Sequence, residues 1–273
     1  MTLSGTSILP LTGKRLPAAR GYGADSEQAG EGDERSMLKD GVPESAMVVE
    51  AHPDDAEWTV AGTVAKWAKA GCRVIYVICT DGNAGSLDPD INREQLAEIR
   101  RGEQRAACAI LGVSEVVFLG HDDDQLEPTL DLRRELVRAM RQYKPEVVIA
   151  GDPTRLFRNG DYINHADHRA AAQAALDAAA PASELPLLWP EVGPPHRVSM
   201  LYVHGTDQAN EWVDVTETID LKIEALKQHA SQHGDWDPTE MVKEWNGELG
   251  GEKGLAYAES YRVITLRRPP GDD

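Results

Sequence analysis

The chain has 273 residues, with 28 Lys+Arg against 46 Asp+Glu and a formal charge of −18. That length suits one large α/β domain or two small ones, and a hydrophobic content of 41% can fill a sizeable core. Ordinary Gly and Pro contents exclude collagen-like and wholly disordered chains, and an acidic surface without a basic stripe disfavours nucleic acid and anionic membranes. No apolar run approaches the roughly 20 residues of a spanning helix. Lys14 and Arg15 follow the short apolar Ile8-Leu9-Pro10-Leu11 rather than preceding it, unlike a secretory signal. Cys72, Cys79 and Cys108 are odd in number and lie in apolar stretches, as expected of buried thiols in a reducing cytoplasm.

Residues 1–45 are rich in Gly, Ser, Ala, Glu and Asp, lack periodicity, and read as a disordered or loosely packed N-terminal extension. They hold 7 acidic and 5 basic residues, so −16 stays with residues 46–273, which read as a single α/β domain. From Ala46, short β-branched runs alternate with segments of helical period. The first strand is predicted over 47–51 and a helix over 54–70, where Trp58, Ala61, Ala65 and Ala68 form one face and Gly71 the stop. A strand over 74–79 leads through Asp81-Gly82-Asn83-Ala84-Gly85 to a helix over 93–111, ended by Gly112. A strand over 116–119, a helix over 132–143, a strand over 147–150 and a helix over 165–180 repeat the cycle. The Pro-rich stretch 181–195 reads as a surface excursion. A strand over 198–203, a helix over 219–229 and a strand over 261–266 complete the chain. Near-continuous apolar strands separated by helices imply a Rossmann-like open, mostly parallel sheet with helices on both faces.

In such sheets ligands gather outside the carboxyl ends of the strands. His52–Asp55, Asp81, His121–Asp124, Asp152 and the 165–168 segment all follow strands and so share one edge. His52, Asp55 and a histidine of the second segment form an N/O set suited to Zn²⁺ or another borderline divalent ion, with Fe²⁺, Mn²⁺ and Co²⁺ as alternatives. Three protein ligands leave a coordination position open, the catalytic arrangement. Taken one at a time, the same residues also serve as helix-start acids and a capping imidazole. The 81–85 loop is not a G-x-G-x-x-G sequence and gives little support to dinucleotide binding. Counting Asp54, Asp55, Glu57, Asp81, Asp122, Asp123, Asp124, Asp152, Asp161 and Asp167, the edge should attract a divalent cation and favour a neutral or amine-bearing sugar over a phosphorylated one.

The motif Ala51-His52-Pro53-Asp54-Asp55-Ala56-Glu57, paired with His165-Ala166-Asp167-His168, resembles the LmbE/PIG-L family of zinc-dependent N-acetylglucosaminyl deacetylases. The resemblance runs from about residue 46 to 266 and takes in Thr80-Asp81-Gly82, Arg100-Arg101-Gly102-Glu103 and Lys227-Gln228-His229-Ala230-Ser231-Gln232. It implies a cytoplasmic metal-dependent hydrolase that removes acetyl from a small N-acetylglucosamine-type sugar, and it allows a homo-oligomer. It further implies His52, Asp55 and His168 as metal ligands and Asp54 as general base. His165 would stabilise the oxyanion or protonate the departing amine, with Asp167 orienting its imidazole. Arg100 and Asp123 align with positions that hold sugar hydroxyls. Two departures stand out: Ala166 where relatives often have Pro, and Ile163 where some carry a carbonyl-polarising Tyr. The alternatives are an amidase acting on a larger acyl or thiol conjugate, and a metal- or sugar-binding protein without catalysis; a binder would need the ligands but not Asp54. Trp212, Trp236 and Trp245 are candidates for a sugar-stacking surface or for packing.

Overall fold

The computed structural model describes residues 41–158 and 162–266. The expected extension over 1–45 falls almost entirely outside them, as does Asp161. Strands β1 (Ser45–Glu50), β2 (Arg73–Thr80), β3 (Glu115–His121), β4 (Val147–Gly151) and β7 (Met200–His204) are parallel neighbours in a seven-stranded sheet, in the order β3-β2-β1-β4-β7. The sheet is extended by β9 (Ala258–Thr265) and β8 (Glu211–Asp214), both antiparallel to their neighbours. A separate two-stranded antiparallel sheet pairs β5 (Phe157–Arg158) with β6 (Tyr162–Ile163).

The helices divide between the two faces. One core cluster packs Met47, Val49, Ile75 and Val148 against α4 (Leu130–Tyr143) and α5 (Ala166–Ala179). The other packs Val48, Tyr76 and Ile149 against α1 (Asp55–Thr59), α2 (Ala61–Lys69) and α3 (Arg93–Leu111). Strands buried on both faces must be apolar at every position, which is why their sequences run without alternation. Helices α6 (Ile219–Leu226), α7 (Ala230–His233) and α8 (Thr239–Gly251) form the C-terminal flank, where Ile219, Ile223 and Leu226 of α6 meet Val215 and Val242 in a third, smaller cluster.

Helix α3 occupies its predicted span, with a capping box between Asn92 and Gln95 and a left-handed Gly112 at its end. Two expectations are corrected. The single helix predicted over 54–70 is two helices interrupted at Val60 (φ −124°, ψ 1°). The cause lies far along the chain: the Glu259 carboxylate takes the N–H groups of Gly62 and Thr63, starting α2 afresh from outside. The stretch 181–195 runs largely at the surface, as expected, and is held there by one buried side chain. It wraps the buried Arg141 guanidinium, which donates to the carbonyls of Ala182, Ser183, Leu185, Leu188, Trp189 and Gly193. The predicted 219–229 helix ends at Leu226, and α8 and β8 were not anticipated.

Glu259 is 2% exposed and Lys222 1%. Lys222 Nζ lies 2.6 Å from Glu259 Oε1 and 3.2 Å from the Thr59 carbonyl, so the pair ties α1, α2, α6 and β9 together. Burial pushes the Glu259 carboxyl upward, but the Lys222 ammonium and the hydrogen bonds from Thr63 together outweigh it and hold the group below the ordinary glutamate range. The pair's contribution is therefore present above the unfolded-state value, near pH 4.3, and fades as pH falls through the lower folded-state value. Lys222→Met should cost about 3–5 kcal/mol at neutral pH by leaving a buried carboxylate unpaired. In denaturant titrations that deficit should narrow on acidification, because protonation removes the uncompensated charge; a deficit that stays constant with pH would contradict the account.

Candidate metal centre and catalytic cleft

In the order β3-β2-β1-β4-β7 the chain leaves β1 for one face of the sheet and β4 for the other. The crevice between these two exits is the topological switch point. The segment after β1 carries His52, Asp54 and Asp55. The segment after β4 returns through the β5–β6 hairpin and starts α5 with His165, Asp167 and His168.

Three potential ligand side chains converge there. His52 Nδ1 is 3.2 Å from His168 Nε2 and 3.3 Å from Asp55 Oδ2, while His168 Nε2 is 3.1 Å from Asp55 Oδ1. Zinc bonds of about 2.0–2.1 Å at tetrahedral angles put ligand atoms roughly 3.3 Å apart, so the set fits a small divalent ion. The surrounding groups fit as well. His52 Nε2 faces two carboxylates, Asp123 Oδ1 at 2.9 Å and Asp167 Oδ2 at 3.2 Å, while His168 Nδ1 lies 3.3 Å from Asn164 Oδ1. With those nitrogens protonated, Nδ1 of His52 and Nε2 of His168 present lone pairs to the centre. A second group of potential ligands, His52, His165 and Asp167, has its atoms within 4.8 Å of one another. It shares His52, and both oxygens of Asp167 are already engaged: Oδ2 accepts from the Asp124 N–H and faces His52, and Oδ1 accepts from the Leu126 N–H.

Asp54 lies beside the ligand set and outside it. Its backbone is left-handed (φ 99°), a conformation that costs a non-glycine residue on the order of 1–3 kcal/mol. Arg100 Nη2 sits 3.3 Å from Asp54 Oδ1 and donates to the Pro53 carbonyl at 2.5 Å, bracing the turn. Arg100 Nη1 donates to the Gly82 carbonyl at 3.0 Å. A Cβ at Gly82 (φ +60°) would come within 2.3 Å of that Nη1, so the Thr80-Asp81-Gly82 turn needs glycine to admit the guanidinium. The two neighbouring acids are driven in opposite directions. Burial raises the Asp54 carboxyl to about 7 against the pull of Arg100. Burial acts on Asp55 too, but His168 and His52 outweigh it and hold that carboxyl well below the ordinary range. A cation at the centre would lower Asp54 again.

His165 caps α5, its Nδ1 accepting the Asp167 N–H at 3.2 Å. Its proton is thereby directed to Nε2, on a side chain 36% exposed. This differs from the expected role of Asp167. Its backbone N–H orients His165, whereas its carboxylate holds His52. Arg100 and Asp123, expected at sugar hydroxyls, are 3% and 7% exposed and each has structural bonds: Arg100 as above, Asp123 to His52 and to the Ala84 N–H. The acidic edge is partly neutralised, since Asp81 is paired with Arg101 and Asp122 with Arg93. The tryptophans separate. Trp236 and Trp245 gather on Trp58, with ring centroids 6.1 and 5.8 Å away, while Trp212 lies under the Lys253 ammonium. Four residues escaped notice at the sequence level. Glu57 and His229 lie within the quoted motifs without an assigned role, nothing in spacing marks Asn164, just before the second motif, as a partner of His168, and Gln104 carries no motif at all.

Comparison with known proteins places this geometry. The family model described as GlcNAc-PI de-N-acetylase (PIG-L) matches residues 47–179. The chain is 28% identical over 227 residues to a diacetylchitobiose deacetylase of Thermococcus kodakarensis, covering 80% of this chain and 82% of that protein. It is 30% identical over 215 residues to a probable N-acetyl-α-D-glucosaminyl L-malate deacetylase of Bacillus anthracis, covering 73% and 85%. The solved N,N'-diacetylchitobiose deacetylase of Pyrococcus horikoshii superposes with a TM-score of 0.76 at 29% identity, over 84% of this chain and 88% of that one. Similar sequence, shared sheet and a fitting ligand set at the switch point lead to one conclusion: the chain belongs to the PIG-L (LmbE-like) family.

Proposed function

We propose that this protein is a zinc-dependent N-deacetylase of a small N-acetylglucosamine-type sugar or sugar conjugate. The observation that carries the reading is the division of labour at the β1 exit. His52, Asp55 and His168 converge at 3.1–3.3 Å, while Asp54 stands next to them uncommitted to the centre, in a strained backbone braced by Arg100. A protein that only bound a metal would need the three ligands and not the fourth group.

A divalent ion held by His52, Asp55 and His168 supplies positive charge that acidifies water and polarises a carbonyl oxygen. Asp54 takes the proton as water adds to the acetamide carbon. His165 presents Nε2–H across the cleft, where it donates a hydrogen bond to the developing oxyanion, and the proton that Asp54 took from water passes to the departing amine nitrogen. The C–N bond breaks, leaving acetate and a free amine. Asp123 and Asp167 keep His52 in one tautomer, and Asn164 does the same for His168. We further assign Arg100 and Asp123 to the sugar's hydroxyl edge, in addition to their bracing of Asp54 and His52. The buried free thiols Cys72, Cys79 and Cys108 suit a reducing, cytoplasmic compartment. Among the described residues no helix is long and apolar enough to cross a membrane.

Acetate release from N-acetylglucosamine, its β-linked disaccharide and its inositol and malate conjugates tests the activity, with a chelator as control. Asp54→Asn should keep bound metal and lose about 10²–10⁴ in kcat, the usual share of a general base; wild-type turnover in that variant would remove Asp54 from the mechanism. His168→Ala should lose metal, measured by elemental analysis, whereas His165→Ala should keep metal and lose turnover. Equal metal loss in both would show that the roles of the two histidines are wrongly divided, and metal lost only in His165→Ala would show that the second group of ligands is the one occupied.

A further inference from the structure

Behind Asp54 lie three polar side chains that the reaction does not use, Glu57, Gln104 and His229, all fully buried. Gln104 reaches from α3 to the start of α1, where its Oε1 accepts the Asp54 N–H at 3.0 Å. Its Nε2 donates to Glu57 Oε1 at 3.0 Å, and the second Glu57 oxygen lies 3.2 Å from His229 Nε2. The chain of contacts is polar in one direction. A carboxylate accepts only, so Glu57 can meet only the amide nitrogen of Gln104, and the amide oxygen must then face Asp54.

The Asp54 N–H is one of the donors that a helix start leaves without an intrahelical partner, and this one is turned into the protein by a left-handed backbone. Such a backbone persists only where its surroundings hold it. Relaxation to an ordinary φ would withdraw the N–H from Gln104 and swing the carboxylate away from Arg100. We propose that Gln104, its amide oriented by Glu57 and His229, is a positioning residue that locks Asp54 in its strained conformation and so aims the carboxylate at the water that attacks the acetamide. The inference rests on Asp54 being the general base. It assigns a kinetic consequence to residues that touch neither the ligand set nor the cleft.

Gln104→Met keeps the length and removes the acceptor. It should lower kcat about 100-fold, the scale of a small misplacement of a reacting group, with KM and metal content close to wild type and a melting temperature lowered by only several degrees, so that the assay is run on folded protein. Gln104→Glu sets a second carboxylate against Glu57 and should be impaired as well. Adding Glu57→Gln to it restores a donor at 57 and an acceptor at 104, and should recover turnover relative to Gln104→Glu alone. This reciprocal pair also serves if Gln104→Met does not fold. Wild-type kcat in Gln104→Met, or a loss that only tracks metal or folded fraction with no recovery in the double variant, would overturn the proposal. Asp54→Asn measured alongside separates the cases: inactive Asp54→Asn with fully active Gln104→Met defeats the positioning role alone, whereas active Asp54→Asn defeats the base assignment and this inference with it.

Discussion

The opposed exits of β1 and β4 are the constraint on which the rest of the site depends. Two parallel neighbours whose following helices pack on opposite faces must leave a gap between their carboxyl ends. Into that gap the chain delivers a short His-Pro-Asp-Asp turn from one side and the start of α5 from the other. Neither segment carries all three ligands. The donor separations of 3.1–3.3 Å exist because both helices are anchored by apolar cores on their own faces, one through Met47 and Val49, the other through Val48.

Around the gap the carboxylates take four distinct parts through their surroundings alone. Asp55 faces two imidazoles and stays ionised. Asp54, buried against Arg100, is raised to about 7 and left free. Asp123 and Asp167 lie on the far side of His52 and hold its ring. Asp81, the acid of the glycine loop, is consumed by Arg101 and serves the architecture. A count of acids along one edge therefore overstates the field that a substrate meets, because Arg93, Arg100 and Arg101 each neutralise one.

The same economy of buried polar groups governs the scaffold. Glu259 restarts α2, Arg141 gathers six carbonyls of the 181–195 segment, and Gln104 closes the turn at Asp54. In each case a backbone group that local structure leaves unpaired finds a side chain from a distant element, since an unpaired buried group would cost on the order of 1–3 kcal/mol. These contacts give the interior its unevenness: apolar where strands stack on helices, polar where helices begin and loops turn.

The amino-acid sequence by itself determined the alternation of strands and helices, because apolar period and glycine stops are local properties; α3 occupies its predicted residues for that reason. It also placed His52, Asp55 and His168 on one edge, since residues following parallel strands must emerge on the same side. What it could not carry was the identity of long-range partners. The break at Val60, the pairing of Asp167 with His52 rather than His165, the splitting of the tryptophans, and the reach of Gln104 to Asp54 all rest on contacts between positions 41 to 197 residues apart. Motif spacing names which groups are near a site. Only tertiary packing decides which lone pair each N–H meets, because that choice depends on a geometry of a few tenths of an ångström that no local pattern encodes.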